Sequence, residues 1–381
     1  MVKKIIFSAL AITLGFLLIP LVMEVSLRFF PVFTGMPVDR ESKIYSFKAN
    51  TTIQRSAHWD MSGARKRHVN NVGFISDQDY DASLTSPLIA IIGDSYIEAM
   101  QVDYVNTAEA QLRKLCENHV RVYSFGAQFA PLSQYLEWAQ YVATSFRPNY
   151  LVINIVGNDF DESLIEWQKT SSTGGVPGMT FFDLSKPDNQ NTVTIPFAKE
   201  SIVVQVLRHS ALAQYLVRNV EVVNLLNDLK HFSFSSKPRE PKASGAEVNT
   251  QYVGNTEKSF DQKRLRESKK AVDLFLNRLP EVTGMKPSSI LLTIDAERPE
   301  IYNATSRNDL SSYFSVMRTY LIKEAKSLGY NVEDLRTPMI KNYIDNGKRF
   351  EFSNDNHWNA QGHRVLAESL FNSPPIAALC R

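Results

Sequence analysis

A serine, a histidine, an aspartate and an asparagine stand in this 381-residue chain in contexts suited to acyl transfer. Ser95 closes the triplet Gly93-Asp94-Ser95, directly after the apolar run Leu88 to Ile92. A serine hydroxyl attacks poorly until a neighbouring imidazole takes its proton. His357 is the candidate base, in the stretch Ser353-Asn354-Asp355-Asn356-His357-Trp358-Asn359. Asp355, two residues earlier, is the candidate acid that fixes the ring's tautomer and stabilises the imidazolium. The oxyanion needs preorganised donors. The candidates are the backbone N–H groups of Ser95 and Gly126 and the side-chain amide of Asn158. Glycine suits position 126 because a backbone donor must approach the substrate closely. Gly-Asp-Ser by itself is an ordinary turn sequence, so the chemistry depends on the elements that carry these residues.

Those elements alternate. Leu88 to Ile92 is a β-branched run that reads as a strand buried on both faces of a parallel sheet. Asn106 with Glu109 has capping-box spacing and opens a helix with Ala108, Leu112 and Leu115 on one face. A strand at Val120 to Phe125 runs into Gly126. A helix over 131–146 and a strand at Tyr150 to Val156 follow, and that strand stops at Gly157-Asn158-Asp159. Strand, glycine-bearing polar loop, helix, three times over, predicts a parallel sheet with helices on both sides. The three loops then share the sheet edge where ligands bind in open α/β sheets. The sheet resumes at Ser289 to Ile294. A helix over 309–328 ends at Gly329, a short strand covers Tyr330 to Leu335, and a closing helix follows His363. His363, one turn into that helix, is expected to be structural.

Between 162 and 287 the alternation lapses, and the region reads as an insertion at the sheet edge. Ile202 to Leu229 is a long helical pattern, with His209 in it as a packed or capping residue. Residues 233–259 read as a polar linker, and 261–279 as a helix charged on one face.

At the N-terminus, Lys3-Lys4 precede an uncharged run from Ile5 to Met23, about enough to cross a hydrocarbon core of roughly 30 Å. The lysines favour a cytoplasmic N-terminus, so residues 5–23 are expected to be a membrane anchor with the body outside the cytoplasm. A cleaved signal peptide is the rival reading, but Val22-Met23-Glu24-Val25 offers no small-residue cleavage site. The organisation expected is an anchor at 1–30, a connecting segment at 31–86, a catalytic domain at 87–371 and a tail at 372–381. Within the connecting segment, Arg65-Lys66-Arg67-His68 reads as a solvated loop, and His58 and His68 have no evident partner.

Composition excludes some functions. With 42 basic and 40 acidic residues, and no basic stripe interleaved with aromatics, no nucleic-acid partner is implied. The two cysteines, Cys116 and Cys380, match no zinc or disulfide framework. Cys116 reads as a small core residue, and nothing in the sequence argues for a bridge, although an oxidising compartment would permit one.

The chain resembles the SGNH (GDSL-type) hydrolases over residues 70 to 371, interrupted by the insertion. Gly93-Asp94-Ser95 looks like the block carrying the nucleophilic serine, Gly126 like the second block and Gly157-Asn158-Asp159 like the third. Asp355-Asn356-His357 with Trp358-Asn359 and Gly362-His363 resembles the last. Two departures stand out. Tyr96 replaces the leucine of the GDSL name, and one residue rather than two separates aspartate from histidine, leaving Asn354 at the usual place. The resemblance implies a three-layer α/β/α flavodoxin-like fold with strand order 2-1-3-4-5 and no metal or cofactor. It implies hydrolysis or transfer of carbohydrate or lipid esters. The anchor would direct that activity to an envelope glycan or lipid. An O-acetyltransferase with the same triad and a silent glycan-binding protein are the alternatives.

Overall fold

The computed structural model describes residue 15 and residues 18–170, 175–187, 191–199, 201–222, 252–253, 255–304, 310–353 and 355–380. The chain forms two compact units. The first comprises Met1–Pro37, Thr51–His68 and Ala198–Lys242, and the second Val38–Asn50, Val69–Phe197 and Ala243–Arg381.

The second unit is built on a five-stranded sheet. Its strands are β1 (Leu88–Gly93), β2 (Arg121–Gly126), β3 (Tyr150–Ile155), β4 (Ile290–Ile294) and β5 (Asn331–Asp334). They lie in the order β2-β1-β3-β4-β5 and every pairing is parallel. This is the flavodoxin-like order expected. Every residue of β1 and of β4 is buried, which is why both strands are apolar apart from Thr293, whose hydroxyl donates to Asn154 at 3.0 Å.

Alternate strand residues face opposite layers. Ile89, Ile91, Val122, Val152 and Leu291 join a core with helices α1 (Ser95–Glu98), α2 (Ala108–Leu115) and three later ones. The other face carries α3 (Leu132–Ser145), α4 (Gln262–Thr283) and α5 (Tyr313–Ser327), which pack side by side. The later helices of the first layer are α6 (Arg336–Asn346), α7 (Ala360–Asn372) and α8 (Pro374–Cys380).

Several local expectations are corrected. The cap of α2 is Thr107, whose hydroxyl accepts from the Ala110 N–H, so the Asn106/Glu109 box does not form. Glu109 is instead buried and accepts from the hydroxyls of Ser76 (2.9 Å) and Ser124 (2.6 Å). The long helix expected from 202 breaks at His209, because the Ser210 side chain caps a new helix, Ala211–Gln214, by accepting from the Ala213 N–H. Residues 223–229 of that expectation, and most of the linker at 233–259, lie outside the described residues. Arg65 to His68 are not a loop. They lie in strand Ser62–Val69, paired with Thr51–Ala57 in a two-stranded hairpin, and Arg67 is buried. A hairpin with no wide sheet face to cover shows little hydrophobic alternation, so the pattern is silent there.

Of the anchor expected over residues 5–23, residue 15 and residues 18–23 are described and are helical, the latter within a helix over 18–27. Among the described residues, no helix is long and apolar enough to cross a membrane.

Cys116 and Cys380 are bonded, with their Cα atoms 4.6 Å apart. The sequence holds no sign of this because 264 residues separate them. Only the layer shared by α2 and α8 brings them together. Cross-linking so long a loop removes denatured-state entropy, and such bonds contribute about 2–4 kcal/mol. Cys380→Ser is therefore expected to lower the unfolding free energy by that order, read as a lower urea midpoint, without changing the native spectrum. Dithiothreitol should have the same effect on the wild type and none on the variant.

Candidate active site

Ser95 begins α1 with a single residue, Asp94, between it and the end of β1 at Gly93. Asp94 makes the turn abrupt: it is the N-cap, and its carboxylate accepts from the Tyr96 N–H at 2.9 Å. The helix lasts a single turn and stops at Ala99, which is left-handed at φ 54°. Gly93 is in register with Gly126 on β2. A Cβ at Gly126 would sit 2.4 Å from the Glu98 nitrogen and 2.8 Å from the Ile97 carbonyl carbon. Glycine is thus required here by the packing of the α1 backbone onto β2, a reason separate from the substrate approach that the sequence suggests.

His357 and Asp355 lie on a strand. Asp355–Trp358 pairs with Glu351–Phe352 in an antiparallel hairpin; Asn354 lies outside the described residues. Residues i and i+2 of an extended strand project to the same side. A spacing with one intervening residue therefore suffices to put carboxylate and imidazole together. Asp355 Oδ1 contacts His357 Nδ1 and also accepts from the His357 backbone N–H at 3.0 Å. His357 Nε2 lies 2.8 Å from Ser95 Oγ. With Nδ1–H held by the carboxylate, Nε2 is the face of the ring left to accept. Asp94 Oδ2 stands at 3.3 Å from the same hydroxyl. One hydroxyl proton serves one acceptor, and the imidazole is the nearer. Burial pushes the Asp94 carboxyl up to about 6, against the hydrogen bond from Tyr96.

The residue between acid and base faces the other way and is held by Tyr96, whose hydroxyl donates to the Asn356 carbonyl at 2.9 Å. The Tyr96 ring also packs edge-on against Trp358. This accounts for tyrosine where the resemblance leads one to expect leucine. Trp358 in turn donates its indole N–H to Asp295 at 3.2 Å, and Asp295 is paired through both oxygens with the buried guanidinium of Arg298, each contact 3.0 Å. The hairpin is anchored from below.

Asn158 follows β3 in a short turn fixed by Asp159, which accepts from the Val156 N–H (2.8 Å) and the Tyr135 hydroxyl (3.0 Å). The Asn158 amide is held at both ends. Its Nδ2 donates to Glu162 at 2.8 Å, and its Oδ1 accepts from Asn255 Nδ2 at 2.7 Å. One N–H of the amide is left to point elsewhere. Asn255, at φ 63°, comes from the insertion, in the turn before strand Thr256–Glu257. Arg264 of α4 secures that turn: its guanidinium bonds Asp161 (2.7 Å), the Thr256 hydroxyl (2.7 Å) and the Ser259 carbonyl (2.6 Å). The sequence does not single out Glu162, Asn255 or Arg264, the last hidden in a charged helix face. A Glu four residues after Asn158 is the one available signal.

All the expected site residues, Ser95, His357, Asp355, Gly126 and Asn158, belong to the second unit; Gly126 closes strand β2 rather than opening a loop, and Asp355 and His357 share the last hairpin strand. His363 is buried, with its ring edge-on to Trp358. Among the described residues no group of His, Cys, Asp or Glu is arranged to hold a metal.

The sequence matches no family model and no curated protein. The fold is similar to that of several solved structures. One is an acetyl xylan esterase, 12% identical over 75% of this chain and 99% of its own, with TM-score 0.41. A lipolytic protein of the G-D-S-L family from Veillonella parvula is 11% identical over 76% of this chain and 98% of its own, with TM-score 0.35. An α/β hydrolase from the metagenome of Lake Arreo in Spain is 12% identical over 79% and 98%, with TM-score 0.37.

Two outcomes are expected. Gly126→Ala forces the α1 backbone off β2, so it should lower thermal stability by about 1–3 kcal/mol. Burial pushes the Glu162 carboxyl up from 4.5 to about 7, against the hydrogen bond from Asn158. A raised folded-state value means stability fully present below the unfolded value and lost as pH rises to about 7. Glu162→Gln should shrink the fall in urea midpoint between acidic and mildly alkaline pH; Asp94, raised for the same reason, should preserve part of it.

Proposed function

We propose that this chain is a serine ester hydrolase of the SGNH type, acting through an acyl-enzyme on carbohydrate or lipid O-acyl esters of the cell envelope. The single observation that supports it most is the unbroken contact series Ser95 Oγ, His357 Nε2, His357 Nδ1, Asp355 Oδ1 at the edge of the sheet. In this reading the Ser95 oxygen attacks the ester carbonyl while its proton passes to His357 Nε2. Asp355 stabilises the imidazolium without taking the proton. The tetrahedral oxyanion is met by the N–H groups of Ser95 and Gly126 and the free N–H of Asn158. Ser95 suits this because the first N–H of a helix has no partner within it. Collapse expels the alcohol, which leaves with the proton from His357, and water repeats the sequence on the acyl group. Glu162 and Asn255 act on Asn158 as positioning residues, holding its amide in one orientation.

The location outside the cytoplasm is supported by two independent features. Lys3-Lys4 precede the uncharged run, and the Cys116–Cys380 bond is of a kind that persists in oxidising compartments. A sugar hydroxyl replacing water in the second step would make the same triad an O-acetyltransferase.

Labelling of the full chain by a fluorophosphonate probe tests the reading. Wild-type protein should label, Ser95→Ala and His357→Ala should not, and Asp355→Asn should label far more slowly. Folded wild-type protein that fails to label rejects an activated serine. On an ester substrate, Asn158→Ala should lower kcat about 10²–10³-fold, the usual cost of one oxyanion donor. Asn255→Ala should lower kcat less, with KM nearly unchanged. Product analysis on an acetylated glycan, free acetate against acetyl transferred to an acceptor sugar, separates hydrolase from transferase.

A further inference from the structure

We propose that the first compact unit docks on the membrane, with helix Ile202–Arg208 lying in the headgroup boundary of a bilayer that carries anionic lipids. The inference rests on the reading of residues 5–23 as an anchor and adds a second membrane element far from it in sequence.

The helix over 18–27 has large apolar side chains exposed around its circumference, among them Ile19 at 62% and Val22 at 60%. Helix Ile202–Arg208 does the same, with Ile202 at 78% and Val206 at 64% exposed and Val204 and Leu207 also open. So much contiguous apolar surface is rare on a protein facing only water. Phe29 and Phe30, at the end of the first helix, and Trp59, in the hairpin turn, are exposed as well. Aromatic residues of this kind collect at membrane interfaces.

The two helices are fixed to each other. Glu24, the first acidic residue of the chain, accepts from the Ser210 hydroxyl (2.7 Å) and from the N–H groups of Leu212 (2.9 Å) and Ala211 (3.1 Å). Arg28 donates to the same carboxylate at 2.8 Å. The charge at the end of an otherwise apolar segment thus ties the foot of the anchor helix to the turn that follows Ile202–Arg208. Once residues 5–23 enter a bilayer, that turn is held at its surface.

Charge selects the occupant. Beside Phe29 and Phe30 opens a cavity of about 480 Å³ lined by Arg28, Lys66, Arg208 and His209, with no Asp or Glu among its lining residues. A basic lining with an apolar rim suits phosphate headgroups above acyl chains. In sequence, the apolar residues of the first helix belong to the uncharged run that begins at Ile5. A lipid surface satisfies both features at once.

Among the described residues no cysteine is free, so an introduced thiol can be labelled selectively in the full chain. Val22→Cys, Ile202→Cys and Val206→Cys, each carrying a polarity-sensitive fluorophore, would be reconstituted into phosphatidylcholine vesicles with and without phosphatidylglycerol. Brominated lipid and aqueous iodide serve as quenchers. Labels at 202 and 206 should be quenched several-fold more by brominated lipid than by iodide, with a clear gain when phosphatidylglycerol is present. Lys66→Glu with Arg208→Glu should remove that gain and leave the label at 22 unchanged. Lipid quenching at 22 with open access of iodide to 202 and 206 overturns the docking and leaves the anchor standing. Absence of lipid quenching at all three sites overturns both. Shielding of 206 from both quenchers marks a protein contact and overturns the lipid assignment. Equal quenching in the two vesicle types overturns the anionic preference.

Discussion

The constraint on which the site depends is the absence of a side chain at Gly126. The turn that presents Ser95 must lie flat on the neighbouring strand, with the Glu98 nitrogen 2.4 Å from where a Cβ would stand. Everything that reaches Ser95 takes its position from that contact. The Asp94 cap fixes the turn from within, and Tyr96, one residue along, reaches across to the carbonyl of Asn356. Serine and histidine are thus joined by a backbone-directed strut as well as by the contact between their reacting atoms. The strut is built from a residue adjacent to the serine and one adjacent to the histidine. Neither element can shift without the other.

The shape of the fold is legible because burial on both faces of a parallel sheet writes itself as runs that are apolar at all but one or two positions. Leu88 to Ile92, Tyr150 to Val156 and Ser289 to Ile294 are such runs, and each is a strand to within a residue or two. The glycine-bearing loops after the first three strands mark the edge where Ser95, Gly126 and Asn158 stand. What stays hidden is set by partners distant in sequence. Glu109 has capping spacing, yet Ser76 and Ser124 draw its carboxylate away from the local helix end. The Cys116–Cys380 bond and the clamp of Asn255 on Asn158 arise only when layers assemble, so no local pattern encodes them. Arg264 reads as part of a solvated helix face because its four acceptors come from segments outside that helix.

The spacing of acid and base shows how local geometry changes the meaning of a motif. Counted along a loop or helix, one intervening residue between Asp355 and His357 is a defect. On an extended strand it is the spacing that aligns two side chains, and the hairpin with Glu351–Phe352 supplies that extension. The buried pair of Asp295 with Arg298 beneath Trp358 then holds the strand at its far end. Stability and chemistry share one small element.

The Cys116–Cys380 bond gives the chain the topology of a lasso. Residues 116 to 380 form a covalently closed loop that carries Asn158, Asn255, Asp355 and His357, while Ser95 sits on the open tail that leads into it. A single peptide-bond cut anywhere within the loop leaves one covalent molecule, with its two new ends tethered on either side of the same crosslink. The halves that carry acid, base and asparagine cannot diffuse from the segment that carries the serine. A protein built this way can be nicked once in the loop and still keep its whole constellation on one scaffold. A cut between Ser95 and Cys116 has no such protection, because there the tail alone connects serine to loop.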